Sequence, residues 1–357
     1  MDESKLEVWL GSVLPKHELL SLSVVTIVEN LLKAEGIDFL AVTSRVKNIV
    51  SSVEKVKRKG YKDPESQLTD LSGVRIIVFF ESDIIDVSKL IRNAFAVDEK
   101  NSSNKDSSLS VNQIGYRSVH FVCELGRDRY KLPEYKGMKG LKFEFQVRTV
   151  LQHAWAELAH DRNYKFSGTL PKDAERKLFL YAGMLELADR GFDELSREID
   201  GYVKEVQGKV EAKNLDIEVD SITLREFVEG WAEAAGFNLK SLTKKDNLSV
   251  LIFELQQFGV VNIAQLAKII PPDYASRAKA VDYGTTIYGV VRDWMLIYDW
   301  RRFHSDVSIE WVMTDHDMIL PYLSSEDSSE FVEAFPVYEG FNDSDFDDSY
   351  FDDESVQ

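Results

Sequence analysis

Four side chains between residues 47 and 58 are of the types that hold a chain of phosphates. Lys47, Ser51, Lys55 and Arg58 fall at i, i+4, i+8 and i+11, so on a helix over 45–58 they make one polar stripe. Three cations and a hydroxyl in a row supply charge neutralisation and donors at matched spacing. Val46, Ile49, Val50, Val53 and Val56 are expected on the other side, packed on the body. A solvated basic face has the same pattern, so spacing alone leaves both readings open.

Two alternating segments add more chemistry. In 116–125, Val119, Phe121, Cys123 and Leu125 share one face, and Tyr116, Ser118 and His120 the other. In 141–149, Leu141, Phe143, Phe145 and Val147 oppose Lys142, Glu144, Gln146 and Arg148. Two such strands either line a polar cleft or present an ordinary solvated face. Asp70, just ahead of the apolar run 74–80, is placed to meet Glu144 across neighbouring strands. Two converging carboxylates are the usual way to hold Mg²⁺, which keeps waters and substrate phosphates as its other ligands. His153, Glu157, His160 and Tyr164 make a further helical stripe, but two histidines without a thiol partner are weak support for zinc.

The elements that must position these residues follow from periodicity. Helices are expected over 5–35 and 38–60, a buried strand over 74–80, an amphipathic segment over 83–95, and a mobile loop over 99–110. Helical spacing returns at 150–164 and 172–213. The pattern lapses at 214–222, where a domain boundary is expected, and 222–302 reads as mostly helical with a break at Pro271–Pro272. Trp231, Phe237, Phe253, Phe258, Trp294 and Trp300 are expected in the core of that second part. The expected division is an N-terminal segment 1–40, a catalytic domain 41–213, a helical accessory domain 222–321 and a flexible acidic tail 322–357.

Composition bounds the function classes. The 357 residues carry 43 Lys plus Arg and 61 Asp plus Glu, a formal charge of −18. That balance argues against anionic partners until the acid is located. Residues 303–357 hold 16 carboxylates and no Lys or Arg, whereas 1–302 hold 45 acids against 43 bases. The body is therefore nearly neutral and can carry a cationic site. One cysteine excludes an internal disulfide framework and fits a reducing cytosol; no apolar run is long enough for a membrane span.

Taken together, R-x-K-x-x-x-S-x-x-x-K (Arg45 to Lys55), DLSGVRI (Asp70 to Ile76), GYRSVH (Gly115 to His120), EFQVRT (Glu144 to Thr149) and LQHAWAELAHDRNYK (Leu151 to Lys165) resemble the synthetase domain of the RelA/SpoT family, in its small single-synthetase form. The likeness covers about residues 40–168. It implies an α/β (α+β) fold, with a nucleotidyltransferase-like mixed sheet flanked by helices. It implies transfer of the β,γ-pyrophosphate of ATP to the ribose 3′-hydroxyl of GDP or GTP, as in stringent-response signalling. By motif, Arg45 and Arg75 would clasp adenine, and Lys47, Ser51, Lys55 and Arg58 would hold the ATP phosphates. Asp70 and Glu144 would bind Mg²⁺, with Glu144 also helping to deprotonate the attacking hydroxyl. Tyr116 would stack on the acceptor base, while His120, Gln146 and Arg148 would shape the acceptor site.

The stretch Ser110–Ile114 carries no cation where many guanosine-specific members have one ahead of the GY motif. Acceptor identity thus stays open among guanine nucleotides, adenine nucleotides and tRNA 3′ ends, with a non-catalytic nucleotide sensor as the reading of another class. In the tail, Phe331, Phe335, Tyr338, Phe341, Phe346, Tyr350 and Phe351 are interspersed with carboxylates. This is either a solubilising tail or an intramolecular inhibitor that mimics bases and phosphates, as in toxin–antitoxin pairs. Self-association is left open by the sequence.

Overall fold

A computed structural model of the chain describes residues 2–104, 118–165, 171–242 and 247–337, with the backbone alone at 103–104 and 159–165. The chain divides into two compact units, Met1–Arg197 and Glu198–Gln357.

The first unit runs α1 (Glu3–Ala34), β1 (Phe39–Val46), α2 (Ile49–Lys59), a short α3 (Pro64–Gln67), β2 (Ser72–Val78) and α4 (Glu81–Ala94). There follow β3 (Ala96–Val97), β4 (Ser103–Asn104), β5 (Val119–Glu124), β6 (Phe143–Thr149), α5 (Val150–Lys165) and most of α6 (Lys172–Glu211). The sheet order is β1-β2-β6-β5-β3, with β4 also paired to β5. Only β2 and β6 run parallel; the other pairs are antiparallel. This is the mixed sheet flanked by helices that the motifs imply.

Alternation decides which face is buried. Phe143, Phe145 and Val147 of β6, Val74, Ile76 and Val78 of β2, and Phe121 and Cys123 of β5 form one core. Leu20, Val24, Val28 and Leu32 of α1, at helical spacing, and Val87, Leu90 and Ile91 of α4 cover it. α1 is thus an integral wall of this unit. Its first half forms a second cluster, in which Leu6, Leu10, Val13 and Leu14 meet Val53, Leu68 and Leu71.

One expectation is corrected. Residues 38–60 do not form a single helix: Phe39–Val46 is a strand and only Ile49–Lys59 is helical. Val42, Thr43 and Val46 are β-branched and pair antiparallel with β2 in the register Val42↔Ile76 and Arg45↔Gly73. Asn48 then starts the helix, its side chain accepting the Ser51 N–H at 2.8 Å. Arg45 and Lys47 are therefore not on the helical stripe with Ser51, Lys55 and Arg58. Val50, expected on the packed side, is 66% exposed.

The second unit continues α6 and adds α7 (Ser221–Ala235), β7 (Asn238–Leu239), α8 (Ser249–Gln257), α9 (Ile263–Ile269), α10 (Tyr274–Ala280), β8 (Gly284–Thr285), α11 (Ile287–Asp306) and α12 (Ser325–Ala334). β7 and β8 form a small parallel pair, and α11 is broken at Asp299, whose backbone is extended. The division at Arg197/Glu198 falls inside α6, whereas the 214–222 lapse is the connection from α6 to α7. Phe237, Phe258, Trp294 and Trp300 are core as expected, but Phe253 is exposed. Within 322–337 the chain is not a bare tail. α12 buries Phe331 completely and Phe335 nearly so, which takes these two aromatics out of any base-mimicking role. The rest of the acidic segment, 338–357, lies outside the described residues. Among the described residues, no helix is long and apolar enough to cross a membrane.

Candidate functional site

The sheet face turned away from the core carries the site. Register lines up Arg45, Gly73, Glu144 and Val122 in one row across β1, β2, β6 and β5, and Thr43, Arg75, Gln146 and His120 in the next. Gly73 puts no side chain between Arg45 and Glu144. A Cβ there would meet only the Glu144 carbonyl oxygen, at an ordinary 3.8 Å, so the space above it is open. The packing of this chain does not require a glycine here.

Two carboxylates flank that opening. Asp70 precedes β2, and its Oδ2 accepts from Lys47 and, at 2.6 Å, from Lys55. Lys47 also donates to the Asp70 carbonyl at 3.2 Å. Burial pushes the Asp70 carboxyl up, but the two lysines more than offset it and hold it below the usual carboxylate range. The Lys47 ammonium is lowered by burial, with Asp70 and Glu144 opposing that shift. The second carboxylate, Glu144, receives His120 Nδ1 at 2.8 Å on Oε1 and Gln146 Nε2 at 3.0 Å on Oε2. Burial raises its carboxyl, while His120 and Gln146 bring it net below the ordinary value.

These contacts form a directed relay. A carboxylate only accepts, so His120 Nδ1 carries the proton; with a neutral ring, Nε2 accepts from the Ser118 hydroxyl 2.7 Å away. On the other side, Arg148 donates to Gln146 Oε1 at 3.3 Å. Beyond it, Arg75 pairs with Glu157 of α5 at 2.9 Å. Burial, followed by the neighbouring Arg75, lowers the Arg148 guanidinium. A polar network across β5 and β6 thus ends at a single carboxylate, which it holds below its ordinary pKa.

The structure brings Lys47, Lys55, Asp70, Arg75, His120, Glu144, Gln146 and Arg148 onto or beside this face. Arg45 is exposed on β1 in the Glu144 row, Ser51 is half-buried at the start of α2, and Arg58 is exposed near its end. Tyr116 and Ser110–Ile114 lie outside the described residues, as do the side chains of His160 and Tyr164.

Asp70 Oδ1 is buried with no hydrogen-bond partner. An orphaned carboxylate oxygen beside a second carboxylate fits a hard divalent cation. Among the described residues no group of three or more His, Cys, Asp and Glu is arranged to hold a metal.

Sequence reasoning missed the scaffold behind the site. Thr149 Oγ1 accepts the Gln152 N–H at 3.1 Å and donates to Asp189 of α6 at 2.6 Å, while Gln152 Oε1 accepts the Thr149 N–H at 3.2 Å. Asp193, one turn on, accepts the N–H and hydroxyl of Ser82 at 2.9 and 2.6 Å. α6 therefore fixes the start of α5, directly after β6, and the start of α4.

A family model described as the region found in RelA / SpoT proteins matches residues 44–169. The GTP pyrophosphokinase YjbM of Bacillus subtilis is 34% identical over 175 residues, covering 48% of this chain and 77% of that protein. The GTP pyrophosphokinase YwaC of Bacillus subtilis is 32% identical over 161 residues, 44% of this chain and 73% of that protein. The crystal structure of the small alarmone synthetase 1 from Bacillus subtilis matches at 25% identity with a TM-score of 0.45, over 54% of this chain and 98% of that one.

Proposed function

We propose, from the premise that this chain belongs to the RelA/SpoT family and is a GTP pyrophosphokinase-like enzyme, that it moves the β,γ-pyrophosphate of ATP to the ribose 3′-hydroxyl of GDP or GTP, forming ppGpp or pppGpp and releasing AMP. The observation that carries this reading is the pairing of Asp70, held by Lys47 and Lys55, with Glu144, held by His120, beside the open face at Gly73.

In that reading Lys47 and Lys55 exchange the Asp70 carboxylate for ATP phosphate oxygens, joined by Ser51 and Arg58. Arg45 and Arg75 offer planar guanidinium groups to the adenine. Glu144 is the acceptor for the 3′-hydroxyl proton. His120 and Gln146 keep it ionised and aimed, so an unprotonated oxygen is ready when the hydroxyl arrives. Asp70 and Glu144 are the groups that would hold Mg²⁺. Bound there, the ion would neutralise charge on the transferring phosphates. The remaining catalysis is positioning, for which a rigid strand face is suited.

Nucleotide analysis by chromatography tests this. Incubation with ATP, Mg²⁺ and GDP should yield AMP and ppGpp in equal amounts. AMP formation that does not depend on a guanine nucleotide would contradict the proposal.

A further inference from the structure

The second unit has a polar cavity of its own, outside residues 44–169 that carry the family likeness. It holds about 140 Å³ and is lined by α11 and by the chain that follows it, from Trp311 to Ile319. A cavity of roughly 150 Å³ takes a guest the size of benzene.

Asp293 of α11 is the buried charge in its wall, only 8% exposed. The phenols of Tyr274 and Tyr283 both donate to the same oxygen, Oδ2, at 2.5 and 3.0 Å, and neither is a counter-charge. Among the described residues that line the cavity the only cation is Arg292, and it is already matched. Its guanidinium forks onto the buried Glu254 at 2.7 and 2.8 Å. Asp315, exposed where the cavity opens, adds a second negative charge. Burial, and to a lesser degree Asp315, push the Asp293 carboxyl up to about 7 against the pull of the two phenols. A carboxylate in such a place is stabilised by a cation that comes to it.

Trp311 supplies a second, independent signal. Its ring lies under the Arg292 guanidinium, 4.5 Å from centroid to carbon, but its Nε1–H is buried without a hydrogen-bond partner. An indole N–H only donates, so the unmet need is an acceptor. Leu296, Met313 and Met318, all buried, give the same cavity an apolar wall.

We infer that this cavity binds a small primary amine carrying one hydrogen-bond acceptor, in its simplest form an amino alcohol, with the ammonium at Asp293 and Asp315 and the oxygen on Trp311 Nε1–H. The aliphatic body between the two groups lies along the methionine wall. A bare metal cation would leave the indole unpaired, and a carboxylate ligand would face two charges of its own sign. The site is independent of the pyrophosphokinase reading, which rests on residues of the first unit.

Titration calorimetry of the full chain with propanolamine tests it, with butylamine, butyrate and butanol in parallel. Propanolamine should bind saturably at one site, butylamine more weakly, and butyrate and butanol not at all. Asp293→Asn keeps the shape and still accepts from both phenols; it should weaken binding roughly 10–100-fold, the loss that accompanies a charged hydrogen-bond partner. Asp315→Asn, at an exposed position that leaves the core intact, should weaken it less. Trp311→Phe keeps the ring and removes the donor, so propanolamine should fall to the affinity of butylamine. Absence of saturable binding by either amine, butyrate binding as tightly as propanolamine, an affinity unchanged by Asp293→Asn and Asp315→Asn, or one unchanged by Trp311→Phe would each overturn the inference. None of these readouts depends on ATP, on the acceptor or on AMP release.

Discussion

His120 and Glu144 are bonded diagonally across β5 and β6. Nδ1 lies 2.8 Å from Oε1, although Glu144 sits opposite Val122 and His120 opposite Gln146. The diagonal ties the carboxylate to the neighbouring row, and its charge-assisted hydrogen bond helps hold the Glu144 carboxyl below its ordinary value despite burial.

Glu144→Gln keeps the shape and removes the proton acceptor. Turnover should fall roughly 10²–10⁴-fold, the usual contribution of a general base, with the melting temperature little changed. Steady-state AMP release together with a thermal scan checks both halves.

His120→Ala takes away the strongest partner that holds the Glu144 carboxyl down. The acid limb of the kcat/KM profile should move to higher pH, because Glu144 then protonates sooner on acidification. A contact to a charged group is worth about 1.5–3 kcal/mol, so a loss of roughly 10–100-fold accompanies the shift. A loss of rate with the acid limb unmoved would make His120 a packing residue only.

Gly73→Val places a branched side chain in the gap between Arg45 and Glu144, on a strand that tolerates it. Folding should survive and ATP binding should fail. Titration calorimetry with a non-hydrolysable ATP analogue distinguishes this from simple misfolding.

His17 gives a stability prediction away from the site. Buried on α1 with Nδ1 2.8 Å from Ser72 Oγ, it has its pKa lowered by burial to about 4. Between about pH 6.5, the unfolded value, and pH 4 the unfolded chain binds the extra proton. Stability is therefore full above that window and falls as pH drops through it. At about 1.4 kcal/mol per pKa unit the loss is on the order of 3 kcal/mol. His17→Gln should flatten this part of the denaturation profile.

What the sequence made legible was strictly local. Alternation in 116–125 and 141–149 marked both strands, which run Val119–Glu124 and Phe143–Thr149, and put His120, Glu144, Gln146 and Arg148 on one face. Ser51, Lys55 and Arg58 do share α2, but the helix was extended back over Arg45 and Lys47 because FLAVTSRV is short, and periodicity does not separate a strand from a helix over so few residues. Lys47 and Lys55 nevertheless meet, at Asp70 and not along a helix. Asp189 and Asp193 escaped notice because their partners lie 40 and 111 residues away, and Glu157, visible on its helical stripe, gave no sign of its pairing with Arg75, 82 residues away. In isolation each is an acidic residue on a polar helix.

The central claim is that this site transfers pyrophosphate to a guanine nucleotide. The direct measurement is incubation of the protein with γ-labelled ATP and Mg²⁺ in parallel with GDP, GTP, adenine nucleotides and tRNA, followed by separation of the labelled products. The account predicts label in ppGpp and pppGpp, absent with Glu144→Gln; label confined to tRNA or adenine nucleotides, or transferred to no acceptor, would contradict it.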